Sequence, residues 1–267
     1  MDVIIPAPDQ LKVLSHNQYN TPEHISPTSV SPSPFEQFRT WVTEVQGIVP
    51  EPEAMSISTA TRTGIPSSRF VLLKQLDKRG FVFFTNYTSR KSKELLENPH
   101  AALAWYWKEV SRQVRVVGRV EKITKEESEE YFKSRPLGSR LGAWASEQSK
   151  VIAEGEVAGR LKDVEARFGV DGTRVDADIP LPEFWGGWRI VPEYVLIFRC
   201  AMHGTHLIVT ARWNFGWGSL LAYTTVFAIY EYPSPQMTHQ NGRLSDYHPK
   251  HTQEQKVNNR CKVLKIE

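Results

Sequence analysis

The sequence predicts a mainly β chain with flanking helices, an α+β fold built on an antiparallel barrel or sandwich. Three observations carry that expectation. Between residues 54 and 123 the chain falls into short apolar or alternating runs at 54–61, 68–76, 81–86, 101–106 and 113–123, the pattern of strands rather than of helices. The segments between them include Thr63-Gly64-Ile65-Pro66, Asp77-Lys78-Arg79-Gly80 and Asn98-Pro99, all tight-turn chemistry. Helical periodicity is confined to the flanks of this region and to one short insertion after residue 88.

The elements follow in chain order. Residues 1–33 are rich in Pro, Ser, Asn and Thr and read as a flexible arm that could order against a partner or ligand. Ser33-Pro34-Phe35-Glu36 supplies an N-cap, a proline at the first helical position and a Glu at the third. Phe35, Phe38, Trp41, Val42 and Val45 then recur at helical spacing, so an amphipathic helix begins the fold. In the run 113–123, Val114, Val116, Gly118 and Val120 share one face and predict the core side. Gln113, Arg115, Val117 and Arg119 share the other, which meets solvent or a ligand. Thr124-Lys125-Glu126-Glu127 is a capping box, and Pro136 stops its helix at Arg135, with Tyr131 and Arg135 four apart on one face. A further helix is expected over 154–168 with Val157, Leu161, Val164 and Phe168 as its buried stripe.

The segment that points to chemistry is Phe84-Thr85-Asn86-Tyr87-Thr88-Ser89-Arg90-Lys91. Thr88 or Ser89 can cap the helix that follows, which sets free backbone N–H groups and the positive end of the helix dipole beside two cations, an anion site suited to phosphate. Taken alone, Arg90 and Lys91 are an ordinary solvated helix start, Tyr131 and Arg135 a surface pair, and Trp185 and Trp188 core aromatics. On a flat strand Arg69 and Lys74 would lie on opposite faces, so contact with one ligand would need a bulge or backbone contacts.

Composition narrows the partners. The net charge is +3 from 33 basic and 30 acidic residues, too balanced to argue for nucleic acid, so the local cations fit a small anionic ligand. Two cysteines, Cys200 and Cys261, exclude a disulfide framework and a Cys-rich zinc site and fit a reducing compartment. No secretory signal is read in Met1-Asp2-Val3-Ile4-Ile5-Pro6, and the cytoplasm is the expected location. Residues 213–230 carry no charge, yet Asn214, Gly216, Ser219 and Thr224 dilute them, and no membrane span is expected.

In order along the chain, Pro34-Phe35-Glu36-Gln37-Phe38, Ser67-Ser68-Arg69-Phe70-Val71-Leu72-Leu73-Lys74, Phe83-Phe84-Thr85-Asn86, Ser89-Arg90-Lys91, Arg112-Gln113-Val114-Arg115, Tyr131-Phe132-Lys133-Ser134-Arg135-Pro136, Gly142-Ala143-Trp144-Ala145-Ser146-Glu147-Gln148-Ser149 and Phe184-Trp185-Gly186-Gly187-Trp188-Arg189 closely resemble the pyridoxamine (pyridoxine) 5′-phosphate oxidase family of FMN enzymes. The resemblance implies an FMN-binding split β-barrel over 34–195 that works as a homodimer with FMN between the subunits. It makes Arg69, Phe70, Val71, Leu72, Leu73, Lys74, Phe84, Thr85, Arg90, Lys91, Gln113, Gln148 and Ser149 FMN contacts. Lys74, Tyr131, Arg135 and Ser139 become contacts to the B6 5′-phosphate substrate. No side chain is expected to be catalytic in its own right, and no metal is implied. The flavin supplies the chemistry: a hydride passes from the substrate's 4′ carbon to flavin N5, and O2 reoxidises the flavin to give peroxide.

The resemblance stops after residue 195. The family continues with a Glu-Phe-Trp-Gln-Gly strand and an Arg-Leu-His-Asp-Arg motif, whereas Leu196-Ile197-Phe198-Arg199-Cys200 follows here. Gly242-Arg243-Leu244-Ser245-Asp246-Tyr247 lacks the His and the second Arg, and the His203/His206 and His248/His251 pairs have no ligand cluster around them. Residues 196–267 are therefore expected to be an atypical tail, an alternative or mis-spliced terminus that replaces the family's last strands. Two outcomes compete with a working oxidase: a flavin- or vitamer-binding pseudoenzyme, and a chain whose barrel edge is left unpaired.

Overall fold

The computed structural model describes residue 31 and residues 33–170, 178–200, 206–213 and 222–227, with backbone alone from 198 onward. The N-terminal arm, the histidine pairs and the 242–247 motif lie wholly or partly outside these residues. Helix α1 (Pro34–Val45) starts as the sequence predicts, with the Ser33 hydroxyl accepting from the Glu36 N–H at 3.4 Å and Pro34 in the first turn. Its Phe35, Phe38, Trp41 and Val45 are buried. Phe38 packs edge-on against Phe81 and Trp105, at ring distances of 5.2 and 4.9 Å, an arrangement that adds to plain area burial.

The strands β1 (Ala54–Ala60), β2 (Pro66–Leu72), β3 (Gln75–Leu76), β4 (Phe81–Asn86), β5 (His100–Trp107), β6 (Arg112–Lys122) and β7 (Trp185–Cys200) form one antiparallel sheet in the order β2-β1-β5-β6-β7-β4-β3. It is curled into a half-barrel with helices at its sides, the split β-barrel architecture. Strand β6 alternates as read from the sequence, with Val114, Val116, Gly118 and Val120 buried and Arg115 and Arg119 exposed.

Two irregularities make the curl. The run expected as one strand over 68–76 breaks after Leu72. The Leu73 N–H donates to Glu53 O, just ahead of β1, and the Lys74 N–H donates to Val82 O of β4, both at 2.9 Å. The chain turns a corner here from one side of the barrel to the other, and no bulge within a flat strand is involved. On β7, Glu193 is an extra residue where the register with β6 shifts between Val117 and Gly118. Pro192, which has no N–H to give, sits opposite Gly118 at this bulge. On its other edge β7 pairs with β4 through Ile190 and with strand β8 (His206–Trp213) from Tyr194 onward. Strand β9 (Ala222–Phe227) pairs with β8. The open barrel edge considered above is thus covered at the backbone level, and β7 runs on to Cys200. No helix among the described residues is long and apolar enough to cross a membrane.

Helix α2 (Arg90–Glu97) follows β4, and helices α3 (Lys125–Ser134), α4 (Leu137–Ala145) and α5 (Glu156–Phe168) lie between β6 and β7. The α3 capping box forms in both directions between Thr124 and Glu127. Helix α4 has no counterpart among the elements expected from the sequence. Leu161, Val164 and Phe168 of α5 pack against a second apolar cluster of Phe132, Leu141, Ala143, Ile179 and Trp185. Val157 is exposed instead, because it sits in the first turn of α5, ahead of the residues that reach that cluster.

Candidate functional site

Strand β4 and helix α2 meet at a cationic cluster in which Lys91 is buried, Arg69 half-buried and Arg90 exposed. The Lys91 side chain is 9% exposed, and its ammonium donates to Thr85 Oγ1 at 3.0 Å, Gln148 Oε1 at 3.1 Å and Ser89 Oγ at 3.4 Å. Every one of these acceptors is neutral. Burial, with the Arg69 guanidinium nearby, lowers the Lys91 ammonium from the usual 10.5 to about 8. Thr85 Oγ1 also donates to Gln148 Oε1 at 2.9 Å, so one carbonyl oxygen collects two donors, as a phosphate oxygen would. The Arg90 N–H, first in α2, donates to Ser149 Oγ at 3.2 Å. Ser149 holds a positive φ of 66°, a rare setting for a non-glycine residue that accompanies functional loops.

Two features of the helix start differ from expectation. Ser89 is the N-cap residue, yet its hydroxyl accepts no first-turn N–H and instead donates to Ser92 Oγ at 3.3 Å. Both the N–H and the hydroxyl of Thr88 donate to Asn86 Oδ1 at 2.7 Å. The polar side chains compete with the helix for partners because Asn86, buried at the end of β4, offers a closer acceptor.

Arg69 faces inward from β2. Its Nη1 donates to Thr59 Oγ1 at 2.5 Å and its Nη2 to Ser67 Oγ, with Glu94 Oε2 at 3.5 Å. Glu94, Thr59 and Ser67 join the site without being among the residues expected from the sequence. The available signals were the four-residue spacing of Arg90 and Glu94 on one helix face and the period-two spacing of Ser67 and Arg69.

A second group lies across β4. The rings of Phe84, Tyr131 and Trp185 stack in parallel, with Phe84–Tyr131 at 3.9 Å and Phe84–Trp185 at 5.4 Å. The Arg135 guanidinium lies 4.7 Å over Trp185, and its Nη1 is buried without a hydrogen-bond partner among the described residues. Burial lowers the Arg135 guanidinium and raises the Tyr131 hydroxyl relative to their usual values. Between the α4 end and α5 a cleft of about 630 Å³ opens, lined by Asn86, Thr88, Ser146 and Phe184 among others.

The structure therefore brings Arg69, Thr85, Arg90, Lys91, Gln148 and Ser149 together, and separately Phe84, Tyr131 and Arg135. Val71 and Leu73 pack on the main core. Phe70 and Leu72 point outward from the edge strand, with Phe70 78% exposed. Lys74 is exposed past the corner, Gln113 is half-buried on β6, and Ser139 is exposed on α4. The side chains of these last three make no hydrogen bond or ion pair among the described residues.

A curled antiparallel half-barrel with helices at its sides defines the split β-barrel class of fold. The sequence model of the pyridoxamine 5′-phosphate oxidase family matches residues 42–162. Pyridoxine/pyridoxamine 5′-phosphate oxidases of Burkholderia thailandensis and Burkholderia pseudomallei are each 52% identical over 168 residues, 62% of this chain and 75% of theirs. Among solved structures, PhzG from Burkholderia lata 383, crystallised with tetrahydrophenazine-1-carboxylic acid, superimposes with a TM-score of 0.67 at 24% identity, over 76% of this chain and 97% of that one. A pyridoxamine 5′-phosphate oxidase-related, FMN-binding protein of Nostoc punctiforme superimposes with a TM-score of 0.56 at 13% identity, over 71% of this chain and 96% of that one. The chain belongs to the pyridoxamine 5′-phosphate oxidase family.

Proposed function

We propose that the chain binds FMN and uses O2 to oxidise pyridoxamine or pyridoxine 5′-phosphate to pyridoxal 5′-phosphate, with H2O2 as the second product. Ammonia is also released, and water consumed, when the amine is the substrate. The observation that carries this reading is Lys91, a buried ammonium that faces neutral oxygens and has the Arg69 guanidinium close enough to depress its pKa. Burial of a cation in that setting is costly unless an anion arrives, and the donor set of Lys91, Arg69, Arg90, Thr85, Gln148 and Ser149 fits a phosphate monoester. Phe70 to Lys74 and Gln113 would complete the FMN site. Tyr131, Arg135, Ser139 and Lys74 would hold the substrate's phosphate, a role supported by the buried, unpartnered Arg135 Nη1.

Bound in that cradle, the flavin would supply the redox chemistry, taking two electrons from the substrate carbon and passing them to O2. The protein's own part is to bind and to exclude water. The stacked wall of Phe84, Tyr131 and Trp185 presents an apolar surface beside Arg135, which strengthens the pull of that guanidinium on a phosphate. The active unit is proposed to be a cytoplasmic homodimer, with the outward Phe70 and Leu72 of edge strand β2 as surface that a second copy would cover.

A second reading, a flavin- or vitamer-binding pseudoenzyme, is favoured by the absence of an in-register Arg-Leu-His-Asp-Arg motif after β7. Anaerobic addition of pyridoxamine 5′-phosphate to the FMN-loaded full chain separates the two. Bleaching of the flavin's visible absorbance supports the oxidase, and flavin that stays oxidised supports the pseudoenzyme. Failure to take up FMN overturns the oxidase and the flavin-binding form of the pseudoenzyme.

The Lys91 pKa gives a pH prediction. Its folded value of about 8 lies below the usual 10.5, so between those values the unfolded chain holds a proton that the ligand-free fold has released, and the stability of that fold rises with pH. Phosphate needs the ammonium, so FMN affinity should fall as pH rises past 8, approaching about tenfold per unit. The phosphate, with a second pKa of about 6, is already dianionic there. Titration with FMN and with riboflavin from neutral to alkaline pH checks this, because riboflavin, lacking the phosphate, should show no such slope.

A further inference from the structure

Glu94 lies one helical turn after Arg90 and is 4% exposed. Its Oε2 accepts from Ser67 Oγ at 2.6 Å and from Thr59 Oγ1, and stands 3.5 Å from Arg69 Nη2, while its Oε1 accepts from Arg90 Nε at 2.8 Å. One carboxylate thus ties β1, β2 and α2 together and grips both arginines of the cradle. These contacts, led by the Ser67 and Thr59 hydroxyls, outweigh burial and hold the carboxyl at about 2. No ion pair joins it to Lys91. With Arg69 Nη1 and Nη2 and Arg90 Nε engaged, Arg69 Nε and the two Arg90 Nη atoms remain as guanidinium donors without a protein acceptor among the described residues.

We propose that Glu94 is the positioning residue of the phosphate site, holding Arg69 and Arg90 in a fixed relation to Lys91 so that the flavin's phosphate meets preformed donors. The inference rests on the phosphate reading of the cradle. Its physical basis is the cost of order. Free arginine side chains carry much rotamer entropy, and a ligand that had to fix two of them would bind more weakly. Three cations near one another also repel, and a carboxylate on the two arginines offsets that without occupying the Lys91 ammonium.

Two other roles predict different results. A clamp that only secures α2 to the sheet would affect every flavin alike. A carboxylate that acts mainly as a negative charge would repel phosphate, so its removal would tighten binding. The experiment measures Kd for FMN and for riboflavin with the full chain freed of flavin, in the parent and in Glu94→Gln and Glu94→Ala. Positioning predicts that the parent prefers FMN and that Glu94→Gln loses about tenfold of that preference, the worth of one charge-assisted hydrogen bond, with riboflavin affinity unchanged. Glu94→Ala should lose at least as much. If Glu94→Ala does not fold, the isosteric Gln variant decides. Equal loss for both flavins, tighter FMN binding, or an unchanged preference each overturns the inference and leaves the phosphate site standing. A parent chain with no preference for FMN removes the phosphate reading itself, and this inference with it.

Discussion

Lys91→Met is expected to weaken FMN binding by about a hundredfold while leaving the ligand-free protein as stable as before, or more stable. Two energies of opposite sign meet at this residue. In the ligand-free fold the ammonium is buried against Thr85, Ser89 and Gln148 with no carboxylate paired to it, and a neutral side chain of similar length avoids that desolvation cost. In the complex the same ammonium donates to a charged oxygen. Hydrogen bonds to charged groups are worth roughly 1.5–3 kcal/mol, more when the partner is left without its counter-charge. At about 1.4 kcal/mol per decade this reaches two orders of magnitude. Flavin fluorescence titration together with thermal unfolding of the flavin-free variant tests both halves. A variant that binds FMN normally would refute the cradle, and one that loses FMN only because it unfolds would show that Lys91 serves the fold.

Gly118→Ala is expected to cost several kcal/mol and to prevent accumulation of soluble protein. An ideal Cβ at this position would lie 2.1 Å from Val191 O and 2.8 Å from Pro192 Cα, backbone atoms that cannot rotate away. Relief requires β6 and β7 to separate at the bulge, and β7 is the strand that carries Trp185 and passes from β4 to β8. Gly159→Ala is the control. Nothing lies within 4 Å of a Cβ there, the residue is inside α5, and alanine should stabilise the helix by roughly 0.5–1 kcal/mol. Denaturant unfolding of the two variants should move in opposite directions. Equal behaviour would mean that close approach at Gly118 has no role in the sheet.

Much of the fold is legible in short stretches of sequence because its signals are local. Ser33 and Pro34 start α1, the Thr124/Glu127 pair starts α3, and the alternation of Val114, Val116, Gly118 and Val120 names the buried face of β6, each within a few residues of where it acts. Helix α4 escaped because Leu137–Ala145 holds two glycines and begins after Pro136 without a side-chain cap, so neither its propensity nor its start stands out. The break at Leu73 and Lys74 escaped because nothing in Arg69–Lys74 disfavours a continued strand. The competing hydrogen bonds come from Glu53 and Val82.

The candidate site divides along the same line. Arg90 and Lys91 at a strand-to-helix turn, and Tyr131 and Arg135 at helical spacing, are visible as residue types in a pattern, and with the ordered motifs they determine the family. Only the folded chain decides that Lys91 is buried against neutral oxygens, that Gln148 and Ser149 arrive from beyond α4 to meet Lys91 and the Arg90 N–H respectively, and that Glu94 holds Arg69 and Arg90 at once. Residues from four separate segments converge there. Burial, pKa and ion pairing depend on neighbours far apart in sequence, whereas caps, turns and alternation depend on neighbours along the chain.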